Sequence, residues 1–412
     1  MVDAQKATLL CPLEEILFWD WSDFSKPISD QIIKYFFYKI KDAVNACQPV
    51  SSWVSHKENI HIIGTLFWEY LPENFETKIN QIVDILSNNG IHFTFLINAD
   101  YSHKFNNIPN VVFINYFLLR TYWYTQKCRN QEINRSWNHE SKKGLFLTGK
   151  TNKIHRVGLL YSLYQRKVLM SDFMWSSFIK TEKIKKECND IVKYYASSID
   201  GLLYSDDLFG QFVEDTNGSA EDTIDVITGP EGHTFYSGFP YDLQLFSDTK
   251  YSVVSESYFS TSRVGGDNDA FPFITEKTWK TIVNNHPFVM VGMPNTNLYL
   301  EKLGFKVFDE FMQHPNYQAM TDDNVFRDPY KRLEVIVENI AEFASNLDDN
   351  KEIVSQYITH NTNHFSAIVD GELNKIMTFL SANNIRITIN GFLSLINDTA
   401  DDHNEYHILL AR

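Results

Sequence analysis

Short apolar runs, each closed by polar residues, Gly or Pro, recur along the chain and alternate with stretches of helical period. Residues 60–67, 92–98 and 111–115 have the unbroken hydrophobicity of parallel strands buried on both faces. Residues 30–46 place Ile32, Ile33, Phe36, Phe37 and Ile40 on one side of a helix, and residues 78–87 form a second amphipathic pattern. This alternation predicts a first α/β domain over residues 1–140. The aromatic run 116–124 is expected in core or interdomain packing, and the polar stretch 127–143 reads as a linker.

A second domain is predicted over residues 141–380, with 381–412 as an extension. Residues 144–149 read as a strand entering a loop, 155–164 as a helix, and a further strand is expected to begin at Lys167. Residues 176–247 are polar, with turn signals at 205–207, 216–222 and 229–233, and read as loops or an insertion. Residues 251–254 and 287–291 are short apolar strands. Between them Thr275 is placed to cap a helix that begins Glu276-Lys277, its acid in the favourable first turn. Two helices are expected over 328–345 and 349–380, then a weak strand at 385–389 and a short helix.

The chain has 412 residues, enough for about two domains. Hydrophobic residues make up 43% and aromatic residues 15%, ample for buried cores. The formal net charge of -15 argues against a general nucleic-acid coat, which needs clustered Lys and Arg, though a local basic groove stays compatible with it. Cys11, Cys47, Cys128 and Cys188 are widely spaced, as in a reducing compartment. The first residues lack the pattern of a signal peptide and no apolar run is long enough to span a bilayer. A cytoplasmic protein without membrane partners is expected.

Several residues suggest chemistry. Glu276 and Lys277 open a helix whose first amides face outward, a site suited to an anion: the Lys can meet a phosphate and the Glu a pair of sugar hydroxyls. An ordinary surface ion pair is the competing reading. Gly144 to Thr151 satisfies the Walker A pattern, but the residues between its glycines are apolar and β-prone and read as the strand itself. The following turn serves better. Arg156 near a helix start could fork two hydrogen bonds to a diphosphate, with Lys150 or Lys153 adding charge. Asp267-Asn-Asp269 resembles a metal-holding tripeptide, yet the surrounding Gly-rich stretch reads as a turn, so no metal is required. Arg263 and Ser257 flank that loop and are candidate ligand contacts. Among aromatic-flanked carboxylates, Glu69 and Asp20 lead as candidate bases, with Asp100 behind them. No zinc site is expected from the thirteen His.

The segments Glu256-Ser257, Ile274-Thr-Glu-Lys-Thr-Trp-Lys280 and Asn284-Asn-His-Pro-Phe-Val-Met-Val-Gly292 resemble the donor-binding signature of the α1,3-fucosyltransferase family. That family carries Glu-Asn-Ser, then Tyr-Ile-Thr-Glu-Lys-Leu-Trp at a helix start, then Val-Pro-Val-Val and a Gly. The wording is also similar to glycosyltransferase-like proteins of tailed phages. This chain lacks the Asn after Glu256, inserts a long loop, and has Asn-Asn-His before the second strand, so the resemblance carries donor-site architecture and leaves the sugar open.

The resemblance implies an α/β fold of the GT-B kind: two Rossmann-like doubly wound domains facing a cleft, with the C-terminal extension packing back on the first. It implies a UDP- or GDP-sugar donor held by Arg156, Glu256, Ser257, Thr275, Glu276 and Lys277, and inverting transfer to an acceptor hydroxyl. The acceptor would be a hydroxylated base in phage DNA or a glycan. With DNA, Trp19, Trp21 and Trp68 are candidates for stacking a flipped base. A P-loop kinase or NTPase, and a binding protein without enzymatic activity on the same fold, are the alternatives. Oligomeric state is not legible.

Overall fold

The computed structural model describes residues 7–12, 60–67, 75–88, 90–98, 110–127, 136–147, 153–168, 173–175, 182–217, 227–228, 234–235, 243–259, 272–315, 317, 328–385, 387–401 and 407–410. The chain forms two compact α/β units, residues 1–123 with 369–412, and residues 124–368. The helix expected over 30–46 lies outside the described residues.

In the first unit β1 (Ala7–Pro12), β2 (Ile60–Leu66), β3 (His92–Asn98) and β4 (Val111–Ile114) lie side by side in that order, all parallel. From Phe93 to Asn98 every residue of β3 is buried, which is why the strand reads as one apolar run. Helix α1 (Phe75–Asn88) turns Ile79, Ile82, Val83 and Leu86 inward at helical spacing. Helix α2 (Tyr116–Lys127) buries Tyr116, Phe117, Leu118, Leu119 and Trp123, and Tyr116 stacks on Phe67 with ring centroids 4.1 Å apart. The four parallel strands run in one direction from β1 to β4, and β11 (His407–Leu410) adds antiparallel on the other side of β1.

In the second unit β5 (Gly144–Leu147) leads through α3 (Ile154–Gln165) to β6 (Phe173–Trp175). Lys167 does not begin a strand. It adopts φ 59° in the turn that closes α3, and β6 follows later. The polar stretch read as loops holds α4 (Glu182–Ser197) and α5 (Asp206–Asn217), with a small ladder of β7 (Ile227–Thr228) and β8 (Thr234–Phe235) beyond. Cys188, Val192 and Tyr195 form the narrow apolar stripe of α4, and Phe209, Phe212 and Val213 that of α5. Helix α6 (Leu243–Asp248) precedes β9 (Tyr251–Ser255), α7 (Glu276–Val283) and β10 (Phe288–Val291). The sheet order is β6-β5-β9-β10, all parallel. The order reverses between β5 and β9.

The described part of the expected linker is tied down. The last carbonyls of α6, left without partners inside the helix, accept from Asn138 Nδ2 (Ser247 O, 2.6 Å) and Ser141 Oγ (Asp248 O, 2.7 Å). Trp137 Nε1 donates to Lys250 O at 2.8 Å. Polar residues here serve a helix terminus, where composition alone suggested free chain.

Helix α8 (Thr296–Lys302) ends in a left-handed turn at Gly304 (φ 95°), with Gly304 N donating to Glu301 O and Phe305 N to Leu300 O. A Cβ at Gly304 would stand 2.8 Å from His364 Cε1, and the His364 ring bonds Leu303 O at 2.6 Å. Gly304→Ala is expected to cost roughly 2–3 kcal/mol, from left-handed strain and a displaced His364. Urea unfolding of Gly304→Ala with and without His364→Ala measures the two parts. A cost under about 1 kcal/mol would mean the turn relaxes freely.

Helix α9 (Pro329–Asp349) starts on Asp328, whose carboxylate accepts from Tyr330 N at 2.8 Å, and α10 runs Lys351–Ala382. The strand expected at 385–389 is absent among its described residues. Asn384 turns left-handed, and Thr388 Oγ1 accepts from Gly391 N to start α11 (Ile389–Asp401). The strand of this region is β11 (His407–Leu410), antiparallel to β1. Among the described residues no helix is long and apolar enough to cross a membrane.

Candidate ligand site at the strand-order reversal

An open parallel sheet binds ligands beyond the carboxyl ends of its strands, where the strand order reverses. In the second unit that place lies past Leu147 and Ser255, where α3 and the segment 255–259 meet. Lys153, at the N-cap of α3, donates from Nζ to Ser257 O at 2.7 Å and lies 5.7 Å over the Tyr258 ring. His155 Nε2 donates to Glu256 O at 2.9 Å, and its ring stacks on Phe259. Arg156 Nη2 donates to Glu256 O at 3.1 Å and Ser255 O at 3.3 Å. From α9, Arg332 donates to Gly292 O at 3.0 Å and to Phe259 O, its guanidinium 3.8 Å over the Phe259 ring. Three cations and an imidazole thus hold the carbonyls of one five-residue segment.

Apart from Lys153, which is half-buried, these groups are buried. Arg156 is 3% exposed and Arg332 1%. Burial, and then the Arg156 charge with Lys153 and Arg332 behind it, holds His155 well below the usual imidazole range, so it is a neutral donor among cations. Burial also pulls Arg332 down to about 9. The Oγ atoms of Ser255 and Ser257 and the Nε of Arg332 are buried without a hydrogen-bond partner among the described residues. Buried donors without partners are rare and mark a place completed by something else.

Glu256 is 1% exposed, and its carboxylate is spent inside the protein. Oε1 accepts from Thr275 N (3.1 Å) and Thr278 Oγ1 (2.5 Å), and Oε2 from Thr275 Oγ1 (2.5 Å). It ties the end of β9 to the start of α7. Burial raises its pKa against the opposing pull of Lys277. Thr275 caps α7 as its position foretold, accepting from Lys277 N. Lys277 Nζ reaches Glu276 Oε1 at 3.0 Å and Thr275 Oγ1 at 3.3 Å, the pair about one-tenth exposed. Arg156, Lys277 and Arg332 are thus buried close to Glu256 and Glu276, with Lys153 half-buried beside them.

Of the residues singled out in the sequence, Arg156, Glu256, Ser257, Thr275, Glu276, Lys277 and Lys153 gather around β9 and α7. Asp20, Glu69, Asp100, Lys150, Arg263 and the Asp267–Asp269 tripeptide lie outside the described residues. Gly144 to Leu147 are strand, bonded to β6 and β9 on both sides, so their amides are not arranged to wrap a phosphate. Sequence reading missed Arg332 and His155, because an Arg among helical polar residues looks like surface and its partners are distant in sequence. His360 and His364, four apart on α10, have a metal-pair spacing that the reading passed over. Their Nε2 atoms bond Gly304 O and Leu303 O instead. No cluster of three or more His, Cys, Asp or Glu suited to a metal occurs among the described residues.

The first unit has its own polar cluster beyond β4. Glu372, 3% exposed, accepts from Asn115 N (3.1 Å), Asn115 Nδ2 (3.0 Å) and Lys375 Nζ (2.6 Å), holding the start of α2. Arg120 donates to Tyr116 Oη at 2.9 Å. This carboxylate is a structural tie like Glu256. Comparison of the chain with known proteins finds no matching family model and no significantly similar curated protein.

Proposed function

We propose that the protein is a glycosyltransferase of the GT-B kind that moves a sugar from a nucleotide-diphosphate sugar to an acceptor hydroxyl. In this reading the second unit holds the diphosphate at the strand-order reversal and the first presents the acceptor, a glycan or a hydroxylated DNA base. The observation that carries it is the gathering of Lys153, Arg156, Lys277 and Arg332 around the Ser255 and Ser257 hydroxyls, which are buried without a hydrogen-bond partner among the described residues. A diphosphate would present negative charge and acceptor oxygens to these cations and hydroxyls. In transfer the acceptor oxygen attacks the anomeric carbon as the bond to the diphosphate breaks. The leaving diphosphate gains the charge that Arg156, Lys277 and their neighbours stabilise, and the acceptor proton passes to a base, for which Glu69 and Asp20 are the candidates. The fucosyltransferase-like wording of 256–292 favours inversion by direct displacement.

Thermal unfolding against UDP, GDP, ADP, CDP and TDP, with and without magnesium or manganese, tests the reading. One diphosphate near a hundredfold excess over its Kd is expected to raise Tm by roughly 5 °C or more. Lys277→Met should abolish that rise. Ser257→Ala should melt like the wild type when alone, because its hydroxyl has no partner among the described residues, yet show a smaller rise with ligand. No rise with any of the five sinks the site. A rise without sugar transfer from the matching nucleotide sugars leaves a binding protein on this fold.

A further inference from the structure

A second concave feature of the same unit is lined by Trp137, His139, Lys351, Glu352, Ser355 and Gln356 and has a volume of about 330 Å³. Trp137 is tied to Lys250, the residue before β9, so the groove lies at the amino ends of the strands, opposite the site at their carboxyl ends. We propose that this groove binds a neutral pyranose unit of a glycan.

The platform is the half-buried indole of Trp137. Its single donor is spent on Lys250 O, and Asn138 and Ser141 pin the segment that follows it, so the ring is held and offers the groove only carbon. An electron-rich indole face suits the weakly positive C–H face of a sugar ring. His139 stands beside it, ring centroids 5.8 Å apart at 50°. Opposite, Glu352, Ser355 and Gln356 lie at i, i+3 and i+4 on the first turns of α10, one helical face. Their side chains bond nothing among the described residues. Together they offer a carboxylate acceptor, a hydroxyl and an amide, a set that matches sugar hydroxyls, which both donate and accept.

Charge and shape set the ligand class. Lys351, the cation of the lining, is balanced by Asp348 at 3.7 Å and Glu140 at 3.9 Å, and Asp348 also pairs with buried Lys250 at 2.8 Å. No uncompensated positive charge remains to hold a phosphate. A nucleobase is best held between two parallel ring faces, and the Trp137 and His139 rings are tilted 50° to each other. The size falls at the small end of ligand sites, right for one or two sugar rings.

Saturation-transfer NMR and calorimetry of the full chain with maltotriose, cellotriose, mannotriose and tri-N-acetylchitotriose test the proposal. At least one should bind with a Kd on the order of millimolar. The double variant Glu352→Ala/Gln356→Ala, which disturbs no internal bond, should weaken that binding about tenfold or more, and Trp137→Ala should remove it. Lys277→Met should bind the sugar as the wild type does, which separates this groove from the diphosphate site. Absence of binding to all four, or binding unchanged in the double variant, overturns the proposal.

Discussion

Glu256→Ala is expected to destabilise the second unit by roughly 3–5 kcal/mol, as removal of one member of a buried charged network does. The carboxylate takes the Thr275 amide, the Thr275 hydroxyl and the Thr278 hydroxyl, all buried, and no other acceptor for them is in place. Burial raises the carboxyl pKa, so the isolated charge is costly, but losing it leaves three donors unpaired, which costs more. The effect reaches the ligand site, because the same bonds fix the first turn of α7 and with it Glu276 and Lys277. Glu256→Gln keeps the volume and removes the charge, but presents an amide NH₂ to a donor, and should cost less, about 1–3 kcal/mol. Urea unfolding of both variants, with the nucleoside-diphosphate shift measured alongside, gives the comparison. If Glu256→Ala unfolds within about 1 kcal/mol of the wild type, the carboxylate is not the tie between β9 and α7.

The strands were the legible part. Residues 60–67, 92–98, 251–254 and 287–291 lie in parallel sheets and, apart from exposed His92 and half-buried His61, their described residues are buried, so apolar side chains dominate the runs and mark them in the sequence. Thr275 was readable as a cap because capping is a local bond between a side chain and the next amides. Helices α4 and α5 were not legible. Each buries a stripe of about three residues and turns a polar majority outward, so composition pointed to loop. The tie of 137–141 to α6 joins residues more than a hundred positions apart, which no local pattern records. The same holds for strand order: apolar runs say that strands exist, and only pairing says that the order reverses between β5 and β9 while the described parallel strands β1 to β4 run one way. At the site, sequence named Arg156 and Lys277 as residues able to meet an anion and Glu276 as one able to meet sugar hydroxyls. It could not tell that Glu256 is engaged within the fold, nor that Arg332 arrives from α9.

Acid is expected to unfold the second unit through His286. This residue is 2% exposed; its Nε2 donates to Phe246 O at 2.6 Å and its Nδ1 accepts from the Ser252 hydroxyl at 2.9 Å, a neutral ring with both nitrogens used. Burial pulls its pKa from 6.5 to about 4. A depressed folded value means that the unfolded chain takes up the proton first. The stability is complete above about pH 6.5 and is lost as pH falls toward about 4, a total of roughly 3 kcal/mol. His155, also depressed by burial and by Arg156, acts in the same direction. Glu256 acts oppositely: its raised carboxyl pKa makes the folded state take up the proton first, so its contribution grows as pH falls. The His286 part is isolated by following wild type and His286→Gln together in urea from pH 7 to pH 4. The stability gap between them should shrink by roughly 3 kcal/mol over that range. A gap that stays constant would mean that His286 keeps its proton equilibrium on folding, against its burial. Because Ser252 pairs with Phe288 at the start of the β9–β10 ladder, protonation loosens the two strands whose far ends carry Glu256 and Gly292. Diphosphate binding should therefore fail over the same acid range, and fail less steeply in His286→Gln.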